Sequence, residues 1–289
     1  MRKAPRSGVA TFFVAMPVLA SAAVLASGSA FAQGHEEPLW EAGAGVAALR
    51  LPDYRGASHS RWYALPLPYL VYRGDFLKAD RHGVRGVFFD SDRVEFNLSV
   101  GASLPVDSSQ SEARQGMPDL RPSVELGPSV DFTLWRSAAR RAKVELRLPL
   151  RGAVTIESDP RYIGVQFFPH LSLDVNDVGG LAGWNLGMLA GPVYTDRRYN
   201  RYFYGVPPDQ ATAARPAYDP DGGYGGAQFI VALSRRFARL WVGGYLRQDT
   251  LAGATFAASP LVTSRRYMAG GIGVSWIFSE SSRRVPAND

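Results

Sequence analysis

Two residues apart, His170 and Ser172 project to the same face if the chain there is a strand. A histidine beside a serine is the pairing from which an activated nucleophile is built, and it needs a third group to orient the imidazole. Glu145 and Asp174 are the acids on offer. In a membrane setting such a set would hydrolyse a lipid ester. The simpler reading gives these residues no catalytic work, because every second position of a barrel strand is an inward-facing polar site. No catalytic residue is therefore assigned, and the chain is read as a non-enzyme. The same reading makes Glu95, Asp131, Glu145, Arg147 and Arg151 candidates for lining a lumen, where they would face one another.

Metal chemistry finds little support. His35, His59, His82 and His170 lie far apart, with no pair at ligand spacing. Asp209, Asp219 and Asp221 lack the regular acidic spacing of a calcium loop. There is no cysteine, which excludes disulfides, thiolate metal sites and a cysteine nucleophile. No cofactor is expected. Tyr194, Tyr199, Tyr202, Tyr204 and Tyr218 read as an interfacial girdle or as loop packing rather than a sugar platform.

The elements that must position these residues are strands. Val124, Leu126, Val130, Phe132 and Leu134 alternate with Glu125, Gly127, Ser129, Asp131 and Thr133, a period of two with one apolar face. After a basic turn at Arg136 to Arg141 the pattern restarts, with Val144, Leu146, Leu148 and Leu150 against Glu145, Arg147 and Arg151. Strands this long suit a tilted bilayer crossing, which takes about 9–11 residues. The apolar parity then faces lipid and the charged parity the lumen.

Comparable segments run at 39–49, 61–72, 93–104, 162–175, 184–194, 225–237, 239–248 and 267–278. In 162–175, Ile163, Val165, Phe167, Leu171 and Val175 are expected to face lipid. Pro66 and Pro68 mark the second strand as irregular or bulged. If 76–89 holds two short strands, the count is twelve, with short connections at one end and long ones at 50–60, 106–119, 197–222 and 250–265. That matches an all-β, antiparallel up-and-down transmembrane β-barrel of about twelve strands, with ten to fourteen allowed.

Residues 1–32 read as a secretory signal: Arg2, Lys3 and Arg6, an apolar stretch, then Ala30-Phe31-Ala32 with cleavage after Ala32. The barrel would occupy 33–278, and 279–289 would be a polar, unstructured tail. The net charge of +6 falls by the three cations of the signal, too little remaining to argue for nucleic acid.

Several short runs now combine. They are Pro52-Asp-Tyr54-Arg-Gly56-Ala-Ser58, Leu65-Pro66-Leu67-Pro68, Tyr72-Arg73-Gly74-Asp75, Glu125-Leu-Gly127-Pro128 and Tyr202-Phe203-Tyr204-Gly205-Val206, with Arg215-Pro216-Ala217-Tyr218 and Ser259-Pro260-Leu261-Val262. In this order and spacing the chain resembles the MltA-interacting protein family, also called MipA/OmpV, from about Leu39 to Phe278. The resemblance implies a barrel in the outer membrane of a Gram-negative bacterium, in contact with lipid and lipopolysaccharide. It also implies a scaffold joining a lytic transglycosylase to a murein synthase, or alternatively a narrow porin-like channel for small solutes. It carries no catalytic residues over.

Overall fold

The computed structural model describes residues 36–74, 77–80 and 83–286. The expected signal peptide 1–32, its cleavage point after Ala32, His35, His82 and the last three tail residues lie outside them. Among the described residues twelve strands close into one antiparallel ring. In chain order they are β1 (Trp40–Pro52), β2 (Ser60–Arg73), β3 (Leu77–Asp80), β4 (Gly83–Asp90), β5 (Val94–Ser103), β6 (Ser123–Arg136), β7 (Ala142–Thr155), β8 (Tyr162–Phe167 and His170–Asn176), β9 (Trp184–Thr195), β10 (Gly223–Arg236), β11 (Leu240–Thr250) and β12 (Arg266–Glu280). The two segments of β8 are halves of one strand, since both pair with β7 and both with β9. Pairing of β12 with β1 closes the ring, from Gly270↔Arg50 to Glu280↔Glu41. The 76–89 region does hold two short strands, β3 and β4.

Alternation explains which residues face out. Trp62, Val46, Leu134, Leu171, Ile272, Trp276 and Phe278 are among the exposed large apolar side chains, Trp62 at 71% and Ile272 at 70%. So much exposed apolar surface is incompatible with water and forms a band for lipid. No helix among the described residues is long and apolar enough to cross a membrane. Short turns and both ends of the described chain share one end of the barrel, and the long connections share the other. By the usual arrangement the short-turn end is periplasmic.

Two expectations about parity are corrected. In β2 the apolar residues point inward: Tyr69 and Val71 are buried, while Pro66, Pro68 and Trp62 point out. Tyr69 and Val71 belong to an apolar cluster at the periplasmic end, with Ala232, Trp241 and Ile277, against which Leu67 and Tyr245 pack. Apolarity alone could not separate a lipid-facing parity from a packed interior one. Nor is β2 bulged, since it pairs without a shift from Trp40↔Tyr72 to Pro52↔Ser60. In β8, Ile163 is 4% exposed and faces inward. A register shift against β7 between Ala153 and Val154 flips it there, and Gly164, at φ 127°, supplies the backbone conformation of the bulge.

The tail departs from its expected form too. Strand β12 runs to Glu280, and Arg284–Pro286 pairs with Glu36–Pro38 in a separate two-stranded clasp.

The long loops pack together across the outer mouth. The 197–222 stretch, expected to be irregular, opens with helix α1 (Arg197–Tyr204), whose first turn is capped by the Asp196 carboxylate accepting from Tyr199 N at 2.8 Å. Tyr199, Phe203 and Tyr204 join Tyr54, Val106, Leu120, Leu251, Phe256 and Leu261 in one buried cluster. Side chains lock the loops to one another. Arg114 donates to Pro118 O (3.0 Å) and Phe203 O (3.3 Å), Arg215 to Gln115 O (2.9 Å), Ser259 to Tyr204 O and Tyr54 to Leu261 O, both at 2.7 Å.

Helix α1 sits directly over Gly164, where a Cβ would collide with the Asp196 side chain and the Tyr199 backbone. Gly164→Ala should therefore cost more than the roughly 1–3 kcal/mol of backbone strain alone. We expect the 197–222 segment to become sensitive to protease while the barrel still migrates as a folded species on unheated gels. Equal resistance in variant and wild type would contradict this packing.

Candidate functional site

The inward polar residues concentrate on β5 to β8. Register puts Glu95 opposite Asp131, Asp131 opposite Arg147, and Arg147 opposite His170. Arg147 is the hub: its guanidinium lies 2.5 Å from Glu145, 3.7 Å from Asp174 and 3.9 Å from Asp131. Lys143 pairs with the other Glu145 oxygen at 2.6 Å. Asn97 donates to both Glu95 (3.0 Å) and Asp131 (2.9 Å). Nearer the outer mouth, Arg151 donates to Ser99 Oγ at 2.9 Å and stands 3.8 Å from Glu125, which accepts from the Tyr199 hydroxyl at 2.9 Å. Helix α1 is thereby tied to the barrel wall.

These groups border a lumen cavity of about 310 Å³ that Asp131, Arg147, Arg151, His170 and Ser172 line, with Glu95 and Glu145 set back from it. Buried charges survive in such a place only when paired, and each cation here has a carboxylate near it.

His170 and Ser172 both face this cavity but are not hydrogen-bonded to each other. The His170 Nδ1 hydrogen is donated to Phe168 O at 2.8 Å, since a carbonyl only accepts, and the ring stacks on Phe168 with centroids 4.5 Å apart. The imidazole is oriented by its own strand's backbone rather than by a carboxylate. Glu145, which would have served, is taken by Arg147 and Lys143. The buried Ser172 Oγ has no hydrogen-bond partner among the described residues.

Two further charge clusters escaped the sequence reading. Asp249, fully buried on β11, binds Arg55 at 3.1 Å and Arg247 at 2.5 Å, with the Tyr267 hydroxyl 3.2 Å from Arg55. Glu41, fully buried on β1, lies 3.0 Å from Arg73 and 2.9 Å from Arg236. The signal for Glu41 was present, because it is a lone acid on the inward parity of a strand of small residues. Of the five tyrosines considered, Tyr199 and Tyr204 belong to the cap and Tyr202 and Tyr218 pack against it, while Tyr194 stays exposed beside Phe167 and Tyr224. Among the described residues no group of three or more potential ligands gathers for a metal.

The cap also has an alkaline limit. Burial pushes the Tyr54 phenol up to about 12 and raises those of Tyr199 and Tyr204 as well. A raised acid holds its proton more tightly when folded. The stabilisation is therefore complete below the unfolded value of about 10 and drains away as pH rises from there through about 12. The tyrosinate absorbance should show late-titrating groups, and protease cleavage within 196–222 should begin in the same window. If all tyrosines ionise together near pH 10 with the cap still resistant, this account of the cap is wrong.

A family model described as MltA-interacting protein MipA matches residues 44–278. The chain belongs to the MltA-interacting protein MipA family. Two curated relatives of this family member agree. Outer membrane protein OmpV of Vibrio cholerae is 25% identical over 213 residues, spanning 72% of this chain and 76% of the relative. Outer membrane protein Omp26La of Vibrio anguillarum matches with the same identity and coverage. Neither carries an enzyme's name. Among solved structures, a bacterial polysaccharide outer membrane secretin aligns with a TM-score of 0.37 at 10% identity, over 83% of this chain and 99% of that one, too loosely to bear on role. Family, closed barrel and lipid-facing band together make this an outer-membrane protein.

Proposed function

We propose that this MipA-family barrel is a non-enzymatic, non-conducting scaffold that holds peptidoglycan-remodelling enzymes at the periplasmic face of the outer membrane. The observation that carries the reading is the packed cap over the outer mouth, backed by the apolar cluster at the base. A barrel closed in this way offers other proteins its turns, and the family is named for interaction with MltA. The partners on this reading are a lytic transglycosylase and a murein synthase.

The exposed basic turn at Arg140 and Arg141, where Arg140 sits at φ 51°, is the candidate contact surface. Rim charges act mainly through steering and register, so the contact should weaken with salt. Pull-down from envelope extract with the refolded barrel should recover a transglycosylase or synthase, and Arg140→Ser with Arg141→Ser should lower recovery several-fold. Recovery no better than with an unrelated barrel would remove the scaffold reading, and discrete conductance steps from the wild type in planar bilayers would replace it with a channel.

A further inference from the structure

We propose that the barrel wall is open sideways between β2 and β5, and that a hydrocarbon chain from the surrounding bilayer enters the lumen cavity there. The first ground is a mismatch of strand lengths. Strand β3 has four residues, about 13 Å of extended chain at the usual rise, whereas β2 has fourteen. Among the described residues, pairing of β2 with β3 is confined to Tyr72↔Ala79 and Arg73↔Lys78. Pairing of β4 with β5 is confined to residues 95–97 on β5. Among the described residues, no strand stands between the rest of β2 and Leu98–Ser103 of β5, nor do these two strands pack together as neighbours.

An open strand edge in hydrocarbon leaves amide groups without partners, which is costly. The sequence of β2 meets this problem directly. Arg73 N donates to Leu39 O, on the β1 side, and at the other end of the strand Asp53 N donates to His59 O. Odd-numbered residues of β2 therefore bond to β1, and even-numbered ones turn their amides to the opening. Pro66 and Pro68 are even-numbered, so both lie on the open edge and carry no N–H to be orphaned. They cost the ladder with β1 nothing.

The cavity reaches this edge from inside. It is lined by the inward Ser99 and Gly101 and also by Val100 and Ala102, which belong to the outward parity opposite Leu126 and Val124. A space bounded by both faces of one strand extends to that strand's edge. Above the opening, Arg61 donates to Gln110 of the 104–122 loop at 2.9 Å, so the gap is a window in the wall rather than a split running to the outer surface. Trp62 and Leu70, both strongly exposed on the outward parity of β2, set the window at the depth of the lipid chains. Inside, Leu49, Leu51 and Leu104 provide apolar contact, and Arg151 with Ser99 provides a polar end. The occupant that fits is the acyl chain of a membrane amphiphile.

The absence of native cysteine makes single-site labelling clean. Ser99→Cys, labelled with benzophenone maleimide before refolding into phosphatidylethanolamine and phosphatidylglycerol vesicles, should give photo-adducts carrying phospholipid mass. Gly243→Cys, inward on β11 between two fully paired strands, serves as the reference and should give at least about fivefold less. Leu49→Cys is the second reporter should Ser99→Cys fail to reach the folded gel mobility. Adducts at Ser99 or Leu49 no more abundant than at Gly243 overturn the window, whether or not the barrel binds a periplasmic partner.

Discussion

Glu41→Ala should unfold the barrel at markedly lower urea concentration, with a loss of about 3–5 kcal/mol. Glu41 is fully buried and stands between Arg73 and Arg236, while Arg73 also reaches Glu37 at 2.6 Å. These cations come from β2 and β10, on either side of the β1–β12 closure. Removing the acid leaves Arg73 with Glu37 but strips Arg236 of its close partner, Glu280 standing 4.0 Å away, and the cost of that under-paired charge dominates the outcome. Replacing the whole set by apolar groups of similar volume, Glu41→Leu with Arg73→Met and Arg236→Met, should recover most of the loss, because the trio itself contributes little net stability. Urea titration followed by the unheated gel shift reads both. A single variant as stable as wild type would mean that water reaches this site.

The second large effect is expected at Asp249. Its carboxylate joins Arg55, from the loop between β1 and β2, to Arg247 on the wall. Asp249→Ala leaves those two cations close together and unneutralised, again a cost of about 3–5 kcal/mol. Here the strain has an outlet, because Arg55 can leave with its loop and Tyr54 is carried with it. Tyr54 is part of the buried cap, so the cap should loosen while the strands stay paired. The expected result is an intact barrel whose cap is cut by protease within 196–222 where the wild type resists, while the apolar cluster at the base keeps the lumen closed. Asp249→Asn, which keeps the shape and one acceptor, should be cut more slowly. A folded Asp249→Ala barrel as resistant as wild type would show that the cap holds without this anchor.

The fold was legible because alternation is a strong signal in long strands. In the hairpin at 124–150 the side that faces lipid could be read from the alternation, though not the register shift between Thr133 and Trp135. The signal failed where the interior is itself apolar. Leu67, Tyr69 and Val71 carry the same pattern as a lipid face, and only their packing with Trp241 and Ile277 distinguishes the two. The bulge at Gly164 was invisible for a related reason, since a one-residue slip inverts the parity without altering composition. Helix α1 did leave a trace, with Asp196 as cap, Tyr199 and Phe203 four apart and Gly205 as the stop. The site was half legible. Arg147 and its acids follow from inward parity, but Arg55 with Asp249 depends on a loop folding back across 194 residues of sequence.

The clasp between Glu36–Pro38 and Arg284–Pro286 has a topological consequence. Because the first and last described residues run side by side, the ring of strands has no obligatory starting point. A short linker from Pro286 to Glu36 with the chain reopened between Ala138 and Ala139, in an exposed turn, would preserve every neighbour relation around the circumference. What would change is the order of arrival: β7 would be made first and β6 last, and the final closure would move to the other side of the cylinder. The shape belongs to the circle, and the place where it is cut belongs to the history of its synthesis.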